Sequence, residues 1–351
     1  MMRVKNDAEF IAASVESCID ALDELVIVYN DCSDNSPVII QAMAEKYPNK
    51  IKVFHYLPSI VAWNLTQKEV AEIECGEIPS ECTLAGYYNY ALSKTTYKYV
   101  MKIDADQIYF TDKLKELCDL YRSETKGRVT AGNLLMAFIV KIYLIFAIRL
   151  GRKSKLVSNS AMWHRYRKAI FNLIRYWKIN SSLSGINLVV APDKPLISKG
   201  KEVKDGTNIL SPYNGEGDHL IFKVTPATYF EPTIDKAYNK LNKVGLSVIE
   251  RLKGGGPIIS IGLYWCHLNS YRKKTYANIK NYLNLYSDAF ADIDSFSRLD
   301  YFNELRKNGF DMTTKGQCVH FDLVHNDLGD YEKRKAGEIN GMFVTNECQS
   351  K

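Results

Sequence analysis

Between Val129 and Pro192 the chain contains no aspartate or glutamate. The same window holds Lys141, Arg149, Arg152, Lys153, Lys155, Arg165, Arg167, Lys168, Arg175 and Lys178, a local charge of +10. The 351 residues together carry +6, so the remainder is near −4. A positive segment on a mildly acidic body predicts an anionic partner for that segment and excludes a generally basic surface. The eight cysteines, at 18, 32, 75, 82, 118, 266, 318 and 348, never fall at C-x2-C spacing, which excludes the common zinc-ribbon patterns. Residues 1–25 read polar and then amphipathic, with Asp7, Glu9, Glu16 and Asp20, so no secretory leader is expected and the thiols are read as reduced, in the cytoplasm. No glycine lies between Arg3 and Phe10, so a glycine-rich phosphate loop cannot follow a first strand. The most apolar run, Asn133–Leu150, is interrupted by Lys141 and ended by Arg149, and is read as too short and too charged for a membrane span.

The pattern that is present begins as alternating strands and helices. A short strand within Met1–Asn6 is followed by an amphipathic helix over Asp7–Leu22, with Ile11, Val15, Cys18 and Ile19 on its apolar face. Leu25–Tyr29 is a continuous apolar run, as expected of a strand buried on both faces of a parallel sheet. It enters the turn-and-cap cluster Asn30–Ser36, then a helix from Pro37 to Lys46 and a strand Ile51–His55. This order predicts an α/β sheet with its ligand crevice at the carboxyl ends of the strands. Leu57–Cys82 reads as a long connection with a short helix near Gln67–Glu74, Leu84–Ser93 as a helix, and 112–123 as another with Leu114, Leu117, Leu120 and Tyr121 on one side.

Tyr99–Phe110 carries the chemistry. If Asp104 ends a strand, Asp106 lies in the following turn, and two hard carboxylates there suit Mn²⁺ or Mg²⁺, which also holds a diphosphate. An acidic pair in a solvated turn is the bland alternative. Trp163–Lys178 interleaves aromatic with cationic residues, the composition of an interfacial helix on an anionic membrane; a buried hairpin with a solvated basic side would read alike. A nucleic-acid groove is disfavoured by the apolar 133–148 run.

RVKND, VIVYNDCSDNS, AGYYNYALS and YVMKIDADQIYF, in that order, resemble the family 2 glycosyltransferases of the GT-A fold. The likeness covers roughly residues 1–125 and continues more weakly to about 225. It implies a Rossmann-like mixed sheet flanked by helices, interrupted by a basic, apolar helical insertion and extended by a helical C-terminal region. The corresponding segments are 1–128 and 181–270 for the two halves of the GT-A domain, 129–180 for the insertion and 271–351 for the extension. Departures stand at Tyr29, where a first turn aspartate is usual, and at Tyr88, where an arginine is common before Asn89.

The resemblance implies a nucleotide-sugar donor with a UDP group and a glycan or lipid-linked acceptor; the basic, apolar segment adds the expectation of an anionic membrane surface, at the cytoplasmic face of the plasma membrane, and no nucleic acid. Donor contacts are expected from Arg3, Asn30, Asp31, Asp34, Asn89, Asp104 and Arg272, although Asp31 and Asp34 could equally cap the helix near Pro37. Asp104 and Asp106 are the expected metal ligands, with His267 completing the shell unless it packs beside Trp265. Pro212–Phe222 resembles an acceptor-side acidic turn opening an apolar run, with Asp218 as general base and Glu216 second, in an inverting transfer. Asp235–Lys253 reads as an amphipathic helix ended by Gly254–Gly256, Ile258–His267 as a strand, 276–311 as helical, and the last forty residues as polar and uninformative. A sugar nucleotidyltransferase would need the glycine-rich loop that is missing after the first strand. A non-catalytic membrane adaptor that keeps the fold would show no hydrolysis of nucleotide sugars.

Overall fold

The computed structural model describes residues 1–61, 64–124, 129–135, 138–139, 142, 160–199, 211–234, 246–254, 258–296 and 328–348. It is a mixed α/β protein whose chain divides into two compact units, Met1–Ala105 with Ile221–Pro257, and Asp106–Leu220 with Ile258–Lys351.

The first unit is built on a four-stranded parallel sheet in the order Ile51–His55, Leu25–Tyr29, Met2–Val4, Ile103–Asp104. Leu25, Val26, Ile27 and Val28 are fully buried, as their unbroken apolar run requires. Each such side chain contributes about 1.5–3 kcal/mol by leaving water. Met2 pairs with Ile27 and Ile103, and Arg3 with Val28 and Asp104, so Arg3 and Asp104 sit side by side at the carboxyl end of the sheet. The first helix, Ile11–Cys18, is shorter than expected and closes in a 3-10 turn at Ile19–Ala21. Ser36–Lys46 forms the second helix, and Leu84–Ser93 a third, started by the Thr83 hydroxyl accepting from the Gly86 amide at 3.1 Å. Ile221–Lys223 pairs antiparallel with Tyr99–Met101.

Leu246–Lys253 is a strand, paired antiparallel with Tyr229–Ile234 from Tyr229↔Lys253 to Ile234↔Val248, and not the end of a helix. Tertiary pairing overrides a weak helical period in a segment where Val248 and Ile249 favour an extended chain. Gly254 ends a strand, therefore, at φ +69 with its Cα against the Ala227 carbonyl, a place a Cβ could not occupy. The helical expectation over 235–245 lies outside the described residues.

The second unit centres on Asn180–Val189, buried along its whole length. It pairs parallel with Ile258–His267 and antiparallel with Leu196–Ser198; Ile258–His267 in turn pairs antiparallel with Gln107–Tyr109. Tyr213–Lys223 is a continuous strand where an acidic glycine-rich turn was expected, because strand neighbours satisfy its backbone and the glycines alternate with Glu216 and Asp218 in an extended run. The expected helix over 276–311 runs only over Lys273–Leu285. It is followed by a 3-10 turn and by Phe290–Asp292, which pairs with Leu196–Ser198; 297–311 lie outside the described residues. The tail expected to be uninformative holds a helix, Asp330–Cys348, whose Ala336, Ile339 and Asn340 are buried.

Thr111–Arg122 buries Leu114, Leu117, Leu120 and Tyr121 as its spacing predicts, and packs with Ser160–Trp177. Lys178, counted among the basic residues, closes the end of Thr111–Arg122 by donating to the carbonyls of Leu120 and Ser123. Among the described residues no helix is long and apolar enough to cross a membrane.

Candidate functional site

In the first unit the site residues gather around Tyr88. The Arg3 Nε donates to the Tyr88 hydroxyl at 3.3 Å, and that hydroxyl donates to Asp104 Oδ1 at 3.4 Å. The guanidinium lies 5.4 Å over the Tyr88 ring and 5.9 Å over Tyr87. Lys102 sits 4.5 Å over Tyr88 while pairing with Glu250. Burial works against the Arg3 charge, but Tyr88, Asp104 and Glu250 outweigh it and hold the guanidinium firmly protonated. Burial pushes the Tyr88 phenol above its usual range, so it stays a hydroxyl that can accept from one neighbour and donate to the other.

The turn after Leu25–Tyr29 places the other donor-side candidates. Asn30 is fully buried, and its amide hydrogens go to the carbonyls of Tyr56, at 2.7 Å, and Pro58, at 2.9 Å. That fixes the amide and leaves Oδ1 buried with no partner among the described residues. Asp31 is exposed at φ +44, a conformation aspartate tolerates better than most residues. Asp34 accepts from the backbone amides of Ala8, at 3.1 Å, and Ser36, at 2.9 Å, and so ties the first loop to the second helix. Asn89 makes a two-point contact with Phe230, donating to its carbonyl at 2.8 Å and accepting from its amide at 2.7 Å.

In the second unit the site forms around Asp106. Asp106 lies in the two-residue turn between the strands Ile103–Asp104 and Gln107–Tyr109. The ladder that pairs His267 with Gln107 continues into the Leu268 amide, which donates to the Asp106 carbonyl at 2.8 Å. His267 and Asn187 are register partners on parallel strands, and the ring Nδ1 lies 2.9 Å from Asn187 Oδ1. Asn187 donates its own amide hydrogens to the carbonyls of Ser211, at 2.7 Å, and Tyr213, at 3.4 Å. Oδ1 is therefore an acceptor, and His267 carries its hydrogen on Nδ1.

The consequence is that Nε2 turns its lone pair toward Asp106 Oδ2, 3.5 Å away. Arg272 also holds Asp106 Oδ2, with Nη2 at 2.9 Å and Nε at 3.3 Å. Burial would raise the Asp106 carboxyl, but His267 and Arg272 reverse that and keep it well below the usual carboxylate range.

Asp106 presents one hard carboxylate oxygen and His267 one imidazole nitrogen, its ring fixed from behind by Asn187. Among the described residues no set of three or more His, Cys, Asp or Glu converges on one point. The side chains of 214–220, and with them Glu216 and Asp218, lie outside the described residues.

Sequence reasoning missed Asn187, whose only signal is an amide in an otherwise apolar strand, Ile186-Asn187-Leu188. It also missed the pair Lys102–Glu250, separated by 148 residues in the chain.

Residues 1–131 match the family model described as Beta-1,4-N-acetylgalactosaminyltransferase (CgtA). This span is glycosyltransferase-like in sequence. It holds Arg3, Asn30, Asp31, Asp34, Asn89, Asp104 and Asp106, and excludes Asp218, His267 and Arg272. No curated protein matches the chain. Among solved structures, the crystal structure of S. aureus TarS 1-349 aligns over 100% of this chain and 90% of that one, at 12% identity and a TM-score of 0.29, a level that carries nothing further.

Proposed function

We propose that this chain is a glycosyltransferase that moves a sugar from a UDP-linked donor to a glycan or lipid-linked acceptor, with inversion, using Mn²⁺ or Mg²⁺ held by Asp106 and His267. The observation that carries the reading is the approach of His267 Nε2 to within 3.5 Å of Asp106 Oδ2, with Arg272 beside them. The sequence match of residues 1–131 supports the reaction class.

Asp106 and His267 would hold the ion, which when bound would supply positive charge to a departing diphosphate. The residues of the chain do the rest. Asn187 holds His267. Arg272 offers a planar fork of donors to diphosphate oxygens. Asp104, flanked by Tyr88 and Arg3, is offered to the ribose. At the acceptor, the hydroxyl oxygen bonds to the sugar carbon as the bond from that carbon to diphosphate breaks. The hydroxyl proton passes to a carboxylate, for which Asp218 is the first candidate and Glu216 the second. We place the enzyme at the cytoplasmic face of the plasma membrane.

The test is a thermal-shift series with UDP, with and without Mn²⁺, followed by hydrolysis of UDP-sugars. A ligand that binds only the folded state raises its apparent stability, so UDP with Mn²⁺ should raise the melting temperature and neither alone should do so to the same extent. Absence of both the shift and any donor hydrolysis would favour the non-catalytic adaptor.

A further inference from the structure

The helix Asp330–Cys348 carries residues 332, 336, 339, 340 and 343 along one side, at helical spacing. Ala336 and Ile339 are buried there, as expected of an apolar face, but so are Glu332, 7% exposed, and Asn340, 3% exposed. A buried polar group costs stability unless it is paired, so both call for defined partners. Glu332 pairs with Lys113 at 3.0 Å and ties the start of the helix to Thr111–Arg122.

Asn340 reaches two other elements at once. Its Nδ2 donates to the Ala191 carbonyl at 3.0 Å, which leaves Oδ1 to accept from the Tyr271 hydroxyl. Burial pushes the Tyr271 phenol above its usual range, so it stays a hydroxyl able to donate. Tyr271 closes the 3-10 turn Asn269–Tyr271, and Arg272 is the next residue. The same turn is held at its other end, where the Ser270 hydroxyl donates to the Leu188 carbonyl and the Leu268 amide donates to the Asp106 carbonyl at 2.8 Å. Ala191 lies just past the strand Asn180–Val189, which carries Asn187. One buried amide thus joins the segment that presents Arg272 to the segment that presents Asn187.

The Arg272 side chain is 31% exposed, so its surroundings alone do not fix so long a side chain. Where its backbone starts must do much of that work. We infer that Asn340 is a positioning residue, which through the Tyr271 hydroxyl seats the turn that aims the Arg272 guanidinium at Asp106 Oδ2. The consequence for UDP rests on the transfer reaction proposed above; the seating of Arg272 does not.

Two readouts on the full chain test it. The first is modification by phenylglyoxal, followed arginine by arginine by peptide mass spectrometry. In Asn340→Leu, which keeps the bulk and loses both hydrogen bonds, Arg272 should react several-fold faster than in wild type, while other arginines, Arg122 among them, keep their rates. Tyr271→Phe, which removes one hydroxyl only, should do the same and decides alone if Asn340→Leu does not fold. The second is isothermal titration with UDP and Mn²⁺. Either variant should weaken UDP binding about 10-fold, the low end for residues that orient a ligand-holding side chain. In the Arg272→Ala background the same change should cost nothing further, because its effect runs through a guanidinium already gone. Unchanged Arg272 reactivity overturns the inference, as does an equal rise at every arginine or a loss of affinity that adds in full to that of Arg272→Ala. If wild type binds no UDP while Arg272 alone becomes reactive in the variants, Asn340 keeps its positioning role and the transferase reading fails instead.

Discussion

Asn187 Oδ1 and His267 Nδ1, 2.9 Å apart on paired parallel strands, decide which nitrogen of the imidazole faces Asp106. Asn187 cannot reverse its amide without breaking two bonds to the carbonyls of Ser211 and Tyr213. Asn187→Ala should therefore weaken Mn²⁺-dependent UDP binding by about 10–100-fold, the usual range for a residue that orients a metal ligand. Isothermal titration with Mn²⁺ and UDP reads this directly. Affinity equal to wild type would remove Asn187 from the site.

Arg272 holds Asp106 Oδ2 at 2.9 Å, the oxygen that the proposed ion would also use. Arg272→Ala should weaken UDP binding, through loss of a phosphate partner, yet leave Mn²⁺ binding by the protein alone as strong or stronger. Asp106→Ala should lose both. Paramagnetic broadening of water protons by Mn²⁺ separates the two variants, and parallel losses in both would contradict this division of roles.

Lys102 and Glu250 pair with side-chain exposures of only 6% and 9%. Lys102→Met leaves a buried carboxylate without its cation and should cost about 3–5 kcal/mol in urea unfolding. Lys102→Met/Glu250→Leu should recover most of that, since an apolar replacement of both partners is often neutral. A double variant as unstable as the single one would mean that the cation over the Tyr88 ring matters more than the ion pair.

Gly185 faces the indole of Trp265, which occupies the place a Cβ would take. Trp265 is wholly buried and cannot step aside without moving its strand. Gly185→Ala should destabilise the protein by about 1–3 kcal/mol, as overpacking does, and shift tryptophan emission to the red. The melting curve and the emission spectrum check it together.

Glu24 accepts from Lys52 and from the amide, at 2.9 Å, and hydroxyl, at 2.7 Å, of Thr96. Burial would raise its carboxyl, but these partners outweigh burial and lower it. A lowered folded-state value means stability that is present above the ordinary glutamate range and lost as pH falls through the lowered one. Glu24→Gln should be less stable than wild type at neutral pH, with the gap closing on acidification below about pH 4. A gap constant from pH 7 to 3 would show that the charge of Glu24 does not matter.

The parallel sheet of the first unit could be read from the chain because its signals are local. Leu25–Tyr29 is continuously apolar, and Asn30–Ser36 is made of turn and cap residues. Asp106 and His267 were likewise visible as residue types, one in a turn and one at a strand end. What escaped is non-local. Leu246–Lys253 is a strand because Tyr229–Ile234 is available to pair with it, and nothing within the eight residues announces that partner. Asn187 matters because a histidine 80 residues away stands in register with it. The same holds for the helix Asp330–Cys348, whose Asn340 joins Tyr271 and the Ala191 carbonyl.

The interleaving of the two units bears on how the chain is made. The span that matches glycosyltransferase sequence ends at residue 131, yet the sheet edge at Tyr99–Met101 is covered by Ile221–Lys223, Lys102 by Glu250 and Asn89 by Phe230. A fragment cut at that boundary would carry an open strand edge at Tyr99–Met101 and would lack the Glu250 that pairs with Lys102. During synthesis the first unit must wait, incomplete, until residue 257 has left the ribosome, by which time everything from Asp106 to Leu220 has already emerged. Nascent chains stalled before residue 221 should therefore be protease-sensitive throughout, and resistance in the first hundred residues should arrive late and all at once.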